Sequence, residues 1–275
     1  MRPFIKWEGG KFKHLKHIYP YIPNNYNTYI EPFVGSGSLF LKVQPDKWII
    51  NDINEILIIL WKLVQSNPEV IIKKIKSFSK LFNKKTNHER LTLCRRLTEN
   101  MNENDFNKTE SALVLLIMKS IVFMGYLFVK NKYSFSSLNF FNDQKVFPNN
   151  NQVYFERLIS IHEYLNRTTG KILCTDYKKI LKLAKKNDFV FLDPPYIEDH
   201  IYQFSYNKNE AIDTIFNQEL LKELQKLDKI GVFWLMTQAD TLQIRELFKE
   251  YIIIEFPVYR RMQKKYKNEL LIKNF

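Results

Sequence analysis

Residues 28–41 read Thr-Tyr-Ile-Glu-Pro-Phe-Val-Gly-Ser-Gly-Ser-Leu-Phe-Leu. The apolar run at 28–33 stops at Gly35 and Gly37, and a helical pattern starts at Ser38. Strand, glycine turn and helix in that order open an α/β sheet. The alternation continues with a strand at 48–52 (WIIND) and a helix over Asn54–Val64. It returns later in the chain. KILCTD (171–176) reads as a strand, a lysine-rich helix follows to about Lys185, and FVFLD (189–193) runs into two prolines. Phe216, Leu220, Leu221, Leu224 and Leu227 form a helical stripe ahead of a buried strand, GVFWLMT (231–237). A last helix near 241–250 and the strand IIIEF (252–256) complete a mostly parallel, twisted sheet.

Between these halves, over 61–169, strand signals fade into Lys- and Asn-rich helical stretches and then aromatic, irregular sequence at 126–147. This predicts a discontinuous α/β domain, 1–60 and 170–275, with a mostly helical insertion at 61–169. Ala112–Val129 approaches the length of a minimal membrane span. Lys119 near its middle would cost roughly 2.5–3.5 kcal/mol in lipid, so the stretch reads as a buried helix to about Met118, then a turn and a hairpin through Gly125.

Composition narrows the class. With 45% hydrophobic and 15% aromatic residues, the chain of 275 can bury a core, which excludes disorder and fibrous folds. Lys and Arg number 42 against 29 Asp and Glu, a net charge of +13, so a polyanion is the default partner. Cys94 and Cys174 stand far apart, and neither they nor the five histidines have metal-ligand spacing. No metal is expected. The opening residues lack the apolar core of a signal peptide, which suggests a cytoplasmic or nucleoid-associated protein without a membrane segment. Oligomeric state stays open. Only seven glycines are present, where average usage gives about 19; Gly9, Gly10, Gly35 and Gly37 all fall in the first 37 residues.

Three motifs carry chemistry. Glycines at the turn of residues 31–38 let a ligand approach the backbone closely. No third glycine and no Walker lysine follow, so a diphosphate is less favoured than a ligand such as S-adenosylmethionine. Asp52 ends the next strand, where a carboxylate can accept hydrogen bonds from both ribose hydroxyls. Taken alone, these features also suit a tight turn with a helix-capping aspartate. The second motif is Asp193-Pro194-Pro195-Tyr196. A carboxylate at the carboxyl end of a parallel strand faces the crevice where such sheets bind ligands, Pro194 offers a carbonyl without an N–H, and Tyr196 can stack on a base. A proline-terminated strand with a surface tyrosine is the plainer reading. The third is Lys6-Trp7-Glu8-Gly9-Gly10-Lys11, where an indole face and an ammonium can wall a nucleoside pocket; core packing of Trp7 beside solvated lysines is the alternative.

In combination, K-W-x-G-G-K at 6–11, E-P-F-V-G-S-G-S-x-F-L at 31–41, N-D-I-N at 51–54 and D-P-P-Y at 193–196 resemble the Dam-type (D12 class) adenine-N6 DNA methyltransferases. The resemblance implies a Rossmann-like S-adenosylmethionine-dependent methyltransferase sheet carrying an inserted target-recognition domain. By position it makes Trp7 and Lys11 N-terminal cofactor contacts, Phe33, Gly35 and Gly37 the cofactor loop, and Asp52 the ribose acid. Asp176 and Tyr177 then line the cofactor's adenine, and Asp193, Pro194, Pro195 and Tyr196 form the catalytic motif, with Asp193 also bordering the cofactor. Asp240-Thr241 resembles the family's late D-T. The implied substrate is an adenine flipped out of double-stranded DNA, its amine held by Asp193 and the Pro194 carbonyl. Methylation of cytosine N4 or RNA adenine, or a binding protein without catalysis, are the alternatives.

The family's base-reading hairpin corresponds to residues 125–132. Phe128 stands where an arginine that reads guanine is expected, a contact worth about 1–3 kcal/mol of discrimination; GATC, the family's commonest target, loses that support. Lys130, Asn131 and Lys132 are candidate DNA contacts, as are Arg260 and Arg261 in a basic C-terminal stretch.

Overall fold

A computed structural model describes residues 1–123, 127–129, 132–134, 137–138, 152–196, 210–260 and 265–275. After a short helix α1 (Leu15–Ile18), the quoted stretch forms β1 (Tyr29–Glu31) and α2 (Ser38–Val43), joined by the glycine turn. Then come β2 (Lys47–Asn51) and α3 (Glu55–Ser66). Four further helices follow, α4 (Pro68–Phe82), α5 (Asn87–Asn102), α6 (Lys108–Ile121) and, later, α7 (Gln152–Arg167). Between α6 and α7 lie the short strands β3 (Val122–Phe123), β4 (Leu127–Val129), β5 (Lys132–Ser134) and β6 (Ser137–Leu138). The chain re-enters the sheet as β7 (Thr169–Leu173), α8 (Tyr177–Leu181) and β8 (Phe189–Leu192). It ends with α9 (Glu210–Ile230), β9 (Phe233–Ala239), α10 (Leu242–Leu247), β10 (Ile252–Arg260) and β11 (Lys265–Lys273).

The main sheet has the order β10-β11-β9-β8-β1-β2-β7. Pairings from β7 through β9 are parallel, whereas β11 is antiparallel to both β9 and β10. The expected mostly parallel sheet is therefore present, with one reversed strand that the C-terminal basic stretch concealed. β1 lies between β2 and β8, so the strand order reverses beside it. In open α/β sheets the crevice outside the strand carboxyl ends at such a reversal is the ligand site.

Side-chain alternation divides the strands between two cores. Tyr29, Phe189, Phe191, Leu235 and Leu271 enter one cluster, while Ile30, Val190, Leu192, Trp234, Met236 and Leu270 enter the other. α8, α9 and α10 cover the second face; α3, α4, α6 and α7 pack on the first. Residue 61, the expected edge of the insertion, is the fully buried Trp61 inside α3. The helices beyond it extend the first core rather than enclosing one of their own.

Local chemistry sets the boundaries. Asn54 caps α3 by accepting from the Leu57 amide at 3.0 Å, and Thr86 with Glu89 forms a capping box on α5. Thr241 caps α10 (3.1 Å to the Ile244 amide), and Asp240 binds the Arg245 guanidinium at 2.6 and 2.9 Å. The pair Asp240-Thr241 thus closes a helix start. α8 is shorter than expected because turns replace helix beyond Leu181, and α6 runs past Met118 to Ile121. Gly170 lies within β7 opposite Trp48. A Cβ there would sit 2.0 Å from the indole. Lys84 and Lys85 lie between α4 and α5, and Lys74 pairs with Glu110 at 2.8 Å. Among the described residues no helix is long and apolar enough to cross a membrane.

Candidate active site

A cavity of about 470 Å³ opens at the carboxyl ends of β1, β2 and β8. Its floor is the glycine loop. Gly35 and Gly37 have φ of +47° and +66°, a region costly for residues with a Cβ. A Cβ on Gly35 would meet the Trp7 ring at 2.9 Å, so the loop and the N-terminal segment fit only without that atom. Trp61 donates from its indole to the Gly35 carbonyl at 3.1 Å. Asn51 ties neighbouring loops together, donating to the Pro32 and Thr175 carbonyls at 2.9 Å each and accepting from the Thr175 amide at 2.9 Å.

Asp52 accepts from the Gly35 amide on one oxygen and from the Asn54 amide on the other, both at 3.0 Å. It is not the helix cap; Asn54 is. Burial pushes the Asp52 carboxyl up, opposed by the Asn54 and Gly35 amides. Glu31, also at the cavity and 2% exposed, accepts from the Tyr29 hydroxyl at 2.6 Å. Burial holds its carboxyl well above the usual range, against the Tyr29 hydrogen bond and with reinforcement from the Asp193 and Asp52 charges. The opposite wall is aromatic: Phe33 and Tyr177 have ring centroids 5.3 Å apart, and Phe216 meets Tyr177 edge-on at 5.5 Å. Asp176 caps α8 through the Lys178 amide at 2.8 Å. Tyr177 lines this cavity, and its hydroxyl is buried with no hydrogen-bond partner among the described residues.

Asp193 follows β8 immediately, which places its carboxylate at the crevice. Its Oδ1 is 2.7 Å from Lys11 Nζ and accepts from the Thr237 hydroxyl at 2.6 Å. Lys11, only 5% exposed, also donates to the Gly9 carbonyl at 2.9 Å and lies over the Tyr196 ring, 4.5 Å from its centroid. Tyr196 is buried, not a surface tyrosine, and donates to the buried Glu269 at 3.2 Å. Burial, with Glu269 and Asp193 nearby, raises its hydroxyl well above the usual range. Pro194 is buried and Pro195 borders the cavity. Lys119, the charge inside the apolar 112–129 stretch, is buried beneath the N-terminal segment. It pairs with Glu8 and lies 4.8 Å over the Trp7 ring. Burial lowers its ammonium's proton affinity, opposed by Glu8.

Trp7, Lys11, Phe33, Gly35, Asp52, Asp176, Tyr177, Asp193, Pro195 and Tyr196 therefore meet around one cavity, with Gly37 at the start of α2 beneath it. Glu8, Glu31, Asn51, Trp61, Phe216, Thr237 and Glu269 are the residues that sequence reasoning left unassigned. Of the expected DNA contacts, Lys132 is exposed on β5, and Arg260 ends β10 with its side chain outside the description. Lys130, Asn131 and Arg261 lie outside the described residues, as does the Phe128 side chain. Among the described residues, no group of three or more His, Cys, Asp or Glu side chains is arranged to hold a metal ion.

Comparison with known proteins gives a consistent result. The profile of the D12 class N6 adenine-specific DNA methyltransferases matches residues 7–265. The chain is 33% identical over 261 residues to the type II methyltransferase M1.LlaDCHI of Lactococcus lactis subsp. cremoris, covering 92% of this chain and 86% of the relative. It is 28% identical over 251 residues to the DNA adenine methylase of Haemophilus influenzae, covering 90% and 82%. To the type II methyltransferase M.MjaIII of Methanocaldococcus jannaschii it is 27% identical over 280 residues, covering 95% and 92%. With the glycine loop, Asp52 and Asp193 gathered at the sheet's reversal point, the chain belongs to the D12 class N6 adenine-specific DNA methyltransferase family and is an adenine-specific DNA methyltransferase.

Proposed function

We propose that this crevice binds S-adenosylmethionine and a flipped-out adenine, with Asp193 and the Pro194 carbonyl as the groups that receive the adenine amine. The observation that carries the proposal is the convergence of the glycine loop, Asp52 and Asp193 on one cavity of about 470 Å³. The chemistry of the lining fits the cofactor. Phe33, Tyr177 and Phe216 offer an apolar, aromatic wall for its base. Asp52 can accept from ribose hydroxyls, and Trp7 closes over Gly35 from the N-terminal segment. When bound, S-adenosylmethionine supplies an electrophilic methyl group on a sulfonium sulfur.

The protein's task is positioning and electrostatics. The lone pair of the adenine amine is delocalised into the ring, which makes the nitrogen a poor nucleophile. Asp193 and the Pro194 carbonyl accept its two hydrogens, drawing the nitrogen toward tetrahedral geometry and freeing the lone pair. Tyr196, held by Glu269, supplies an aromatic surface at the same place. The segment between α6 and α7, with Lys130, Asn131 and Lys132, and the basic Arg260-Arg261 are assigned to target recognition and phosphate contact. A type II relative such as M1.LlaDCHI also raises a restriction partner as a setting for this enzyme.

Asp52→Ala is expected to weaken S-adenosylmethionine binding by about tenfold or more, the scale of one lost charge-assisted hydrogen bond. Isothermal titration calorimetry reads this directly. Unchanged affinity would remove Asp52 from the ribose site.

A further inference from the structure

We infer that Thr237 is a positioning residue that fixes which oxygen of Asp193 faces the adenine amine. Thr237 is fully buried on β9, one residue beyond the Leu192–Met236 register pair and opposite Leu271 of β11. β11 pairs with it directly, and the β8 register ends one residue before it, so its hydroxyl has a fixed origin. That hydroxyl has one hydrogen to give. The Leu192 carbonyl is 3.5 Å away, whereas Asp193 Oδ1 is at 2.6 Å, the distance of a hydroxyl bonded to a charged carboxylate. Lys11 Nζ approaches the same oxygen at 2.7 Å. Both donors thus converge on Oδ1, and no described residue donates to Oδ2. The carboxylate is pinned at one oxygen and open at the other. Oδ2 is the atom assigned to accept the amine hydrogen, and without the hydroxyl only the Lys11 ammonium resists rotation of the carboxylate about its Cβ–Cγ bond.

Thr237 does not line the cavity, although its hydroxyl also meets that of Tyr196, so its loss should appear in the chemical step rather than in cofactor binding. Thr237→Val keeps the shape and removes the hydroxyl. Single-turnover methylation is expected to slow on the order of 10- to 100-fold, the range a misplaced reacting group produces. Affinity for S-adenosylmethionine and for duplex DNA should stay within about threefold. Thr237→Ser, which restores the hydroxyl, should recover most of the rate. A valine variant within twofold of the unaltered enzyme overturns the proposal, as does a serine variant as slow as valine, which would make the role one of packing. If the valine variant binds no cofactor, Thr237→Ala is compared with Thr237→Ser: a slow alanine and an active serine support the proposal, and equal rates overturn it. The inference rests on the assignment of Asp193 as the amine acceptor. An active Asp193→Ala enzyme would remove that assignment, whereas a dead Asp193→Ala enzyme beside a fast Thr237→Val enzyme would remove only the role of Thr237.

Discussion

Asp193→Ala should lower single-turnover methylation by at least about 10²–10³-fold, the effect of deleting one group aimed at charge that develops in the transition state. Cofactor affinity should change little, because Asp52, the glycine loop and the aromatic wall are untouched. The alanine variant carries a second consequence. Lys11 is 5% exposed and loses its ion-pair partner, keeping only the Gly9 carbonyl among its hydrogen-bond acceptors. Removing one member of a buried pair costs up to about 3–5 kcal/mol of stability, so lost activity needs a variant that folds as well as the original. Asp193→Asn supplies it. Lys11 and Thr237 both donate at the Oδ1 position, so the amide oxygen should settle there and the amide NH₂ should face the adenine. Two donors would then meet, and the asparagine enzyme should be slow while binding cofactor and melting nearly as the unaltered protein does. Circular dichroism melts, calorimetry and a single-turnover assay on the three proteins check each part. A fast asparagine enzyme would contradict the orientation assigned to the carboxylate.

Gly170→Ala should give the largest loss of stability among simple glycine substitutions away from the site, about 3 kcal/mol or more, at the upper end for an overpacked core. The added methyl would lie 2.0 Å from the Trp48 ring. That ring has little freedom to move: it is 1% exposed, its indole donates to Thr168 at 2.8 Å, and Phe40 meets it edge-on at 5.1 Å. Gly231→Ala is the informative comparison. Gly231 has φ of +75° but only the flexible Lys186 side chain near its missing Cβ, so it carries the left-handed penalty of about 1–2 kcal/mol alone. Urea unfolding should rank Gly170→Ala as the more damaging. The opposite ranking would mean that the β2–β7 edge yields more easily than its packing indicates.

Much of the site was legible because its residues stand at strand ends and turns, where local sequence and position in the fold coincide. The Gly35–Gly37 turn, Asp52 and Asp193 each follow an apolar strand, and a parallel sheet aligns such ends on one edge. What stayed hidden depends on contacts between distant parts of the chain. Thr237 lies in a strand whose apolar run predicts burial and says nothing about a hydroxyl bonded to Asp193. Glu269 sits in a stretch whose basic residues mark it for DNA contact, yet β11 inserts antiparallel between β9 and β10 and buries it against Tyr196. Phe216 belonged to a helical apolar stripe, which marks it for packing; it packs on Tyr177 at the cavity rim. Lys119 looked like a flaw in an apolar helix, and its partner Glu8 lies 111 residues earlier. No periodicity encodes a pair so far apart. The insertion's boundary was similarly obscured, since α3 crosses residue 61 and its neighbours share one core.

Transfer of a methyl group from S-adenosylmethionine to the N6 amine of adenine in duplex DNA, with Asp193 as the amine's acceptor, is the reaction proposed for this crevice. The most direct test is a single-turnover reaction with methyl-labelled S-adenosylmethionine and duplex DNA, for the unaltered and Asp193→Ala enzymes. The DNA is digested to nucleosides and the label identified. Label is expected in N6-methyl-2′-deoxyadenosine for the unaltered enzyme, and almost none for Asp193→Ala at saturating cofactor. Label in N4-methyldeoxycytidine, or equal labelling by both enzymes, would contradict it.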